Sequence, residues 1–135
     1  MSRKLNCIML IDDNPDDNFF HERVIKKADA ANTVIKQTSG SSAIEYLTSK
    51  SDHPDHHPDL IFLDINMPGM NGWEFLDEYK KLRIEFRVKA IVVMLTTSKN
   101  PDDREKALAL NIVSDFESKP LTADMLKRII KRNFP

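Results

Sequence analysis

Short apolar runs alternate along this chain with stretches whose apolar residues recur every three or four positions. Runs that are apolar throughout are typical of strands covered on both faces, as in a parallel sheet. Right-handed crossovers between such strands place helices on both sides of the sheet. The chain is therefore predicted to form a three-layer α/β/α sandwich of five strand–helix units. The predicted strands are Leu5–Ile11, Thr33–Thr38, Leu60–Leu63, Ala90–Leu95 and Ile112–Phe116.

A stretch with helical periodicity follows each predicted strand. Pro15 suits the first turn of a helix. In that helix Phe20, Val24, Ile25 and Ala28 recur at helical spacing. The other predicted helices are 39–48, a third marked by Phe75, Leu76, Tyr79 and Leu82, then 101–110, and a last one marked by Leu126, Ile129 and Ile130. Turn-forming residues make segment 49–58 a loop, and its three histidines are read as part of a solvated loop.

Length and composition restrict the class of protein. At 135 residues the chain has the size of a single domain, 1–135. A net charge of -1, from 20 basic and 21 acidic residues, argues against nucleic-acid binding. The single Cys excludes an intramolecular disulfide, and no apolar run is long enough for a membrane span. No signal peptide is visible, so we expect a cytoplasmic protein without a membrane partner. The chain ends about where its last helix ends, so we also expect a stand-alone domain.

Polar side chains follow four of the predicted strands. Asp12 and Asp13 come after the first strand, Asp64 after the third, Thr96 after the fourth and Lys119 after the fifth. Carboxyl ends of parallel strands meet at one edge of the sheet, where ligands bind in such folds. A single Asp there is most simply a helix cap or turn residue. Three close together repel one another, and a hard divalent cation such as Mg2+ relieves that repulsion.

These residue types suit phosphoryl chemistry. A carboxylate beside Mg2+ and a Lys can attack a phosphoryl group, while both cations neutralise charge on the transferring oxygens. The hydroxyl of Thr96 can hydrogen-bond the bound group. Asp16 and Asp17 are read differently, as acids that favour the start of the first helix through its dipole.

Four segments together resemble the receiver domain of two-component response regulators, over essentially the whole chain. They are Ile11-Asp12-Asp13-Asn14, residues 63–72, Met94-Leu95-Thr96-Thr97-Ser98 and Phe116-Glu117-Ser118-Lys119-Pro120. The resemblance implies a flavodoxin-like (βα)5 fold with strand order 2-1-3-4-5 and a cis Lys119–Pro120 bond. The longer loop 51–58 is similar to one in regulators associated with bacterial phytochromes.

The resemblance also implies a role for each matching position. Asp64 is the phospho-acceptor, and Asp12, Asp13 and Asp64 hold Mg2+, Asp13 directly and Asp12 through water. Asn66 adds its backbone carbonyl to the metal. Lys119 contacts the phosphoryl group, and Thr96 assists catalysis and acts as the switch hydroxyl. Phe116 is the aromatic switch residue, moving inward together with Thr96 on phosphorylation.

The partners implied are a sensor histidine kinase and either a downstream protein target or a phosphotransfer protein. The protein is then not an enzyme, beyond assisting its own phosphorylation and autodephosphorylation. A homodimer through the fourth helix, fifth strand and fifth helix stays open. Phe116 has no hydroxyl where the family often has Tyr, and Ile112 stands where the family often has Gly, so details of that surface are open too.

Two other functions remain alternatives. A Mg2+-dependent phosphohydrolase would also use an aspartyl-phosphate intermediate, but the haloacid dehalogenase pattern wants Asp-x-Asp, and Asp64 is followed by Ile65 and Asn66. A docking module that works without phosphorylation would normally lack part of the set. A flavodoxin-type phosphate binder is disfavoured, because acids rather than small residues follow the first strand.

Overall fold

The computed structural model describes residues 4–49, 57–85 and 90–134. Their strands are β1 (Leu5–Ile11), β2 (Ala31–Gln37), β3 (Leu60–Leu63), β4 (Ile91–Thr96) and β5 (Val113–Ser118). Their helices are α1 (Pro15–Lys27), α2 (Gly40–Ser49), α3 (Gly72–Glu85), α4 (Pro101–Leu108) and α5 (Ala123–Asn133). The strands form one parallel sheet in the order β2-β1-β3-β4-β5, which confirms the predicted fold class and strand order.

Side chains of the central strands alternate between two apolar cores, one on each face of the sheet. Met9 and Ile11 of β1 point into the core that α2, α3 and α4 cover. Ile8 and Leu10 point into the core that α1 and α5 cover. Burial on both faces explains why these strands are apolar throughout. Strand β2 is an edge strand, so it tolerates the exposed Asn32, and it begins at Ala31 rather than at the predicted Thr33.

Helix α1 buries Ile25 of its predicted apolar face, with Val24 and Ala28 packed against the same core, but it leaves Phe20 outside. Its buried residues are Asn18, His21 and Ile25. Phe20 is instead 49% exposed, and its neighbour Phe19 is 57% exposed. The polar residues Asn18 and His21 are buried because they face the end of the sheet where Asp12 and Asp64 follow β1 and β3.

Two helices begin with side-chain caps that hold the loops of the candidate site. The Asn14 side chain caps α1 by accepting from the N–H groups of Asp16 (2.9 Å) and Asp17 (3.4 Å). At α3, Asn71 and Glu74 form a reciprocal capping box, each side chain accepting the other's backbone N–H at 2.9 and 3.0 Å. The Lys119–Pro120 bond is cis, as the resemblance implies.

Two further sequence predictions concern membrane-spanning helices and the loop before β3. No helix within them combines the length and apolarity that crossing a bilayer requires. The loop predicted at 51–58 lies mostly outside them, because only its last two residues, His57 and Pro58, are described. His53 and His56 are therefore outside the described residues.

Candidate functional site

The backbone of the sheet brings the predicted site residues to one edge. Ile11 of β1 pairs with Leu63 of β3, and the Asp64 N–H donates to the Ile11 carbonyl at 3.0 Å. Asp12 and Asp64 therefore leave neighbouring strands side by side. On the other side of the edge, the Lys119 N–H donates to the carbonyl of Thr96 at 2.9 Å. These ladder bonds place residues from four separate segments within reach of one another.

Three carboxylates form an acidic cluster at this edge. Asp12, Asp13 and Asp64 each offer one oxygen, and the three oxygens lie within 4.8 Å of one another. Asp12 and Asp64 are buried, at 5% and 8% exposure, while Asp13 is exposed. Burial raises the pKa of Asp12 above its usual value, although its hydrogen bond from Lys119 opposes that shift. Closely spaced carboxylate oxygens of this kind fit a hard divalent cation such as Mg2+.

Backbone donors fix the orientation of the two buried carboxylates. The Asn14 N–H donates to Asp12 Oδ1 at 3.0 Å, and the Ile65 N–H donates to Asp64 Oδ1 at 2.8 Å. The Oδ2 atoms of both carboxylates are thereby left to face the ammonium of Lys119. Each carboxylate is therefore oriented by a backbone N–H of the loop to which it belongs, and not by packing alone.

Lys119 is the cation at the centre of the site. Its Nζ donates to Asp12 Oδ2 at 2.5 Å, to Asp17 Oδ2 at 2.9 Å and to Asp64 Oδ2 at 3.2 Å. An ammonium has three N–H donors, so these contacts use all of them. Burial disfavours the charged ammonium, but the hydrogen bonds to Asp12 and Asp17 and the charge of Asp64 outweigh that effect and raise the pKa of Lys119.

The contact with Asp17 is one that sequence reasoning missed. Asp17 is read from the sequence as a helix-start acid, and it does lie in the first turn of α1. Its carboxylate also points across the edge to Lys119. The sequence did contain a signal for this contact. Asp17 lies in the first helical turn after Asp12 and Asp13, and that turn brings its side chain back toward the strand ends.

Thr96 and Phe116 occupy the two predicted switch positions. Thr96 ends β4 with its side chain fully buried, and its Oγ1 accepts from the Ser98 N–H at 3.2 Å. Phe116 is 5% exposed and belongs to the core beneath α4. Both side chains are thus already buried in this structure. An inward movement of Thr96 and Phe116 on phosphorylation would need a conformation in which they are exposed, and it stays a prediction.

The loop between β3 and α3, which follows Asp64, is held by a close approach of two backbone segments. The Gly72 N–H donates to the Ile65 carbonyl at 2.8 Å. A Cβ at Gly72 would lie 2.5 Å from the Asp64 carbonyl oxygen and 2.9 Å from Ile65 Cα. Only glycine fits there, so Gly72 is a site residue that sequence reasoning did not single out. Asn66 lies exposed in this loop, and its role toward a metal stays a prediction.

Two buried polar residues of α1 support the site from behind. Asn18 donates from Nδ2 to the carbonyls of Asp12 (3.0 Å) and Gln37 (3.2 Å), which ties the ends of β1 and β2 together. With His21 it lines a small cavity that also borders Asp12 and Asp64. Burial, together with the charge of Lys119, lowers the pKa of His21.

Comparison with known proteins decides the family. Residues 8–131 match the response regulator receiver domain. The chain belongs to this family. Receiver domains are signalling modules of two-component systems, and they typically bind a divalent metal and partner with histidine kinases and downstream effectors.

Solved structures of other receivers share the fold. A two-component response regulator from Cytophaga hutchinsonii is 36% identical, with a TM-score of 0.88 over 96% of this chain and 97% of its own. The bacteriophytochrome response regulator AtBRR is 28% identical, with a TM-score of 0.75 over 96% of this chain and 92% of its own. The Mn(2+)-bound form of Rcp1, a response regulator of Synechocystis, is 28% identical, with a TM-score of 0.69 over 94% of this chain and 90% of its own.

The receiver resemblance read from the sequence is therefore confirmed, and the chain as a whole is similar to a bacteriophytochrome response regulator. The similarity read from loop 51–58 stays a prediction, because most of that loop lies outside the described residues. The structure brings together Asp12, Asp13, Asp64 and Lys119 at one edge. The individual chemical roles of these residues remain predictions.

Proposed function

We propose that this receiver accepts a phosphoryl group on Asp64 from the phosphohistidine of a sensor kinase, with Mg2+, and thereby switches a protein-interaction surface. The observation that carries the proposal is the meeting of Asp64 with Lys119 and with the acidic pair Asp12 and Asp13. We further propose that residues 1–135 form one receiver domain and that it acts in the cytoplasm.

The proposed step forms one bond and breaks one. A carboxylate oxygen of Asp64 attacks the phosphorus, and the P–N bond to the donor imidazole breaks. The electron pair of that bond stays with the imidazole nitrogen, and the ring leaves as neutral histidine because its other nitrogen carries a proton. In the proposed step Lys119 exchanges its bond to Asp64 for one to an oxygen of the transferred group, and the hydroxyl of Thr96 donates to a second oxygen. The protein's contribution is alignment and charge neutralisation, which is most of what phosphoryl transfer needs.

The oxygen donors of the acidic cluster fit the cation that this chemistry uses. Asp12, Asp13 and Asp64 would hold Mg2+, with Asn66 contributing its backbone carbonyl. When bound, the cation neutralises charge on the phosphoryl oxygens. The related receiver Rcp1 has a Mn(2+)-bound form, which supports the proposal of a divalent-cation site in this chain.

The exposed phenylalanines of α1 support a docking surface for the kinase. Phe20 lies beside the basic residues Arg23, Lys26 and Lys27 around an open groove. Its ring contacts His21 edge-on at 5.8 Å, and His21 borders the cavity behind Asp64. Helix α1 begins at the edge that carries Asp64, and the groove continues along the helix from Phe20, so we assign the groove to the phosphohistidine domain of the kinase.

The surface that changes is proposed to be the face of α4, β5 and α5. Arg104 of α4 donates to the Phe116 carbonyl at 3.0 Å, so it links that helix to the switch strand. Arg132 and Arg128 of α5 pair with Asp115 and Glu117 of β5 at 2.9 and 3.0 Å. A phosphoryl group beside Thr96 and Lys119 would bias this connected face through a population shift. Its reader is a downstream target, a phosphotransfer protein or a second copy of the chain.

The test is phosphorylation by acetyl phosphate, read by intact mass. The parent should gain one phosphoryl group only when Mg2+ is present, and Asp64→Asn should gain none. Asp77→Asn, an exposed acid on α3, is the matched control and should behave as the parent. A missing adduct on the parent, or an equal adduct on Asp64→Asn, would refute the acceptor assignment.

Turnover separates the proposal from its alternatives. A receiver forms one adduct and loses it slowly, whereas a phosphohydrolase would release phosphate from generic phosphate esters over many cycles. Sustained turnover would favour the hydrolase. An unmodified protein that still binds its partner would favour the docking module.

A further inference from the structure

Asp17 contacts the ammonium of Lys119 although it lies outside the acidic cluster. The two atoms, Asp17 Oδ2 and Lys119 Nζ, are 2.9 Å apart. The side chain of Lys119 is 10% exposed and that of Asp17 is 38% exposed. The three carboxylate oxygens within 4.8 Å of one another come from Asp12, Asp13 and Asp64, and Asp17 contributes none of them.

The start of α1 explains why the carboxylate of Asp17 faces Lys119. Asp17 is the third residue of the helix, the position from which a capping-box side chain reaches back to the N–H of the capping residue. Here that N–H, on Asn14, donates to Asp12 Oδ1 instead. Asp17 is thereby released from the capping role and is left to pair with Lys119.

The partners of Lys119 divide into two kinds. Asp12 and Asp64 belong to the carboxylates that fit a cation, whereas Asp17 does not. A divalent cation at the cluster takes up the oxygens of Asp12 and Asp64 and repels the ammonium. Asp17 is then the carboxylate still able to hold Lys119 at the edge of the site.

We propose that Asp17 is a positioning residue: it holds Lys119 beside the acceptor while a divalent cation occupies the acidic cluster. Removal of Asp17 forces Lys119 to compete with the cation for Asp12 and Asp64. Cation affinity should therefore fall. This inference rests on the proposed function, because it assigns Asp17 a part in loading the same site.

The experiment titrates the full chain with MgCl2 at constant ionic strength, followed by calorimetry and by fluorescence of Trp73, the single tryptophan. Asp17→Asn should weaken Mg2+ binding about threefold to fivefold, the scale of one partly exposed ion pair. Asp17→Glu, which keeps the charge, should stay within about twofold of the parent. Asp16→Asn is the matched control, because it removes an adjacent, exposed acid of the same helix turn.

A double-mutant cycle with Lys119→Met tests whether Asp17 acts through Lys119. In that background Asp17→Asn should change Mg2+ affinity no more than Asp16→Asn does. An equal loss in both backgrounds would mean that Asp17 acts on the cation directly, and it would overturn the inference. If the Lys119→Met chain does not fold, the comparison of Asp17→Asn, Asp17→Glu and Asp16→Asn decides alone.

The outcomes also separate this inference from the proposed function. A parent that binds no Mg2+ and takes no phosphoryl group from acetyl phosphate would refute both. A parent that does both, with Asp17→Asn and Asp16→Asn indistinguishable, would refute only the role of Asp17.

Discussion

Replacement of Lys119 by Met tests the electrostatic reasoning about the site most directly. Met keeps the unbranched length of the side chain but removes the ammonium. The side chains of Asp12 and Asp64 are 7% and 10% exposed, so their charges would be left buried without a partner. Breaking a buried pair by removing one partner is strongly destabilising, because the remaining charge is neither solvated nor neutralised.

The expected loss in the free energy of unfolding is about 3 kcal/mol at neutral pH without divalent ions, the lower end of the range for buried pairs. The contact with Asp17 adds little, because that carboxylate is 38% exposed. For a domain of this size the loss corresponds to a Tm about 10 °C lower.

The effect should depend on pH with a definite sign. Without Lys119 the pKa of the buried Asp12 carboxyl, already raised by burial, rises further. The folded variant then binds more protons than its unfolded chain, so its stability falls as pH rises through the acidic range. The difference between parent and variant should therefore be larger at pH 8 than at pH 5.

The assay is urea unfolding in EDTA, followed by far-UV circular dichroism at both pH values. Lys127→Met removes an exposed lysine of α5 and serves as the control, with an expected change of at most about 0.5 kcal/mol. A Lys119→Met variant as stable as the parent at pH 8, or a loss that is equal at pH 5 and pH 8, would refute the reasoning.

Three further predictions test other parts of the molecule. Gly72→Ala should destabilise the fold by about 2 kcal/mol or more and slow phosphorylation, because its Cβ would meet the Asp64 backbone. A Cβ at Gly40 would first meet the flexible Met70 side chain, at 2.9 Å from its Sδ, so Gly40→Ala should be milder in both assays. Cys7 should resist alkylation at pH 8 until the chain unfolds, since burial raises the pKa of its thiol to about 11; labelling at the unfolded rate would contradict this. Phe20→Ala should slow transfer from a kinase at least several-fold and leave acetyl phosphate labelling unchanged, whereas equal loss with both donors would argue against α1 docking.

Much of the fold was predictable because its signals are local. The apolar strands lie within one or two residues of their predicted ends in most cases, since each run is buried on both faces of the sheet. Phe20 shows the limit of periodicity. Helical spacing groups it with Ile25, but rotation of α1 on the sheet buries Asn18 and His21 and leaves Phe20 exposed.

The candidate site was likewise predictable in part from the sequence. Asp12, Asp13, Asp64, Thr96 and Lys119 were predictable, because position after a strand places a residue at the carboxyl edge of a parallel sheet. The close approach at Gly72 was not, because the composition of its turn does not show how near two backbone segments come.

The sequence by itself determined which strands and helices form and which charged groups follow the strands, because burial pattern, helical spacing and turn residues act over short stretches of chain. Only the tertiary structure decided that Lys119 meets Asp17, a residue 102 positions away. It also decided that Asn18 joins the ends of β1 and β2. Such contacts depend on the rotation of α1 and on distances of a few ångströms between segments, which no local pattern encodes.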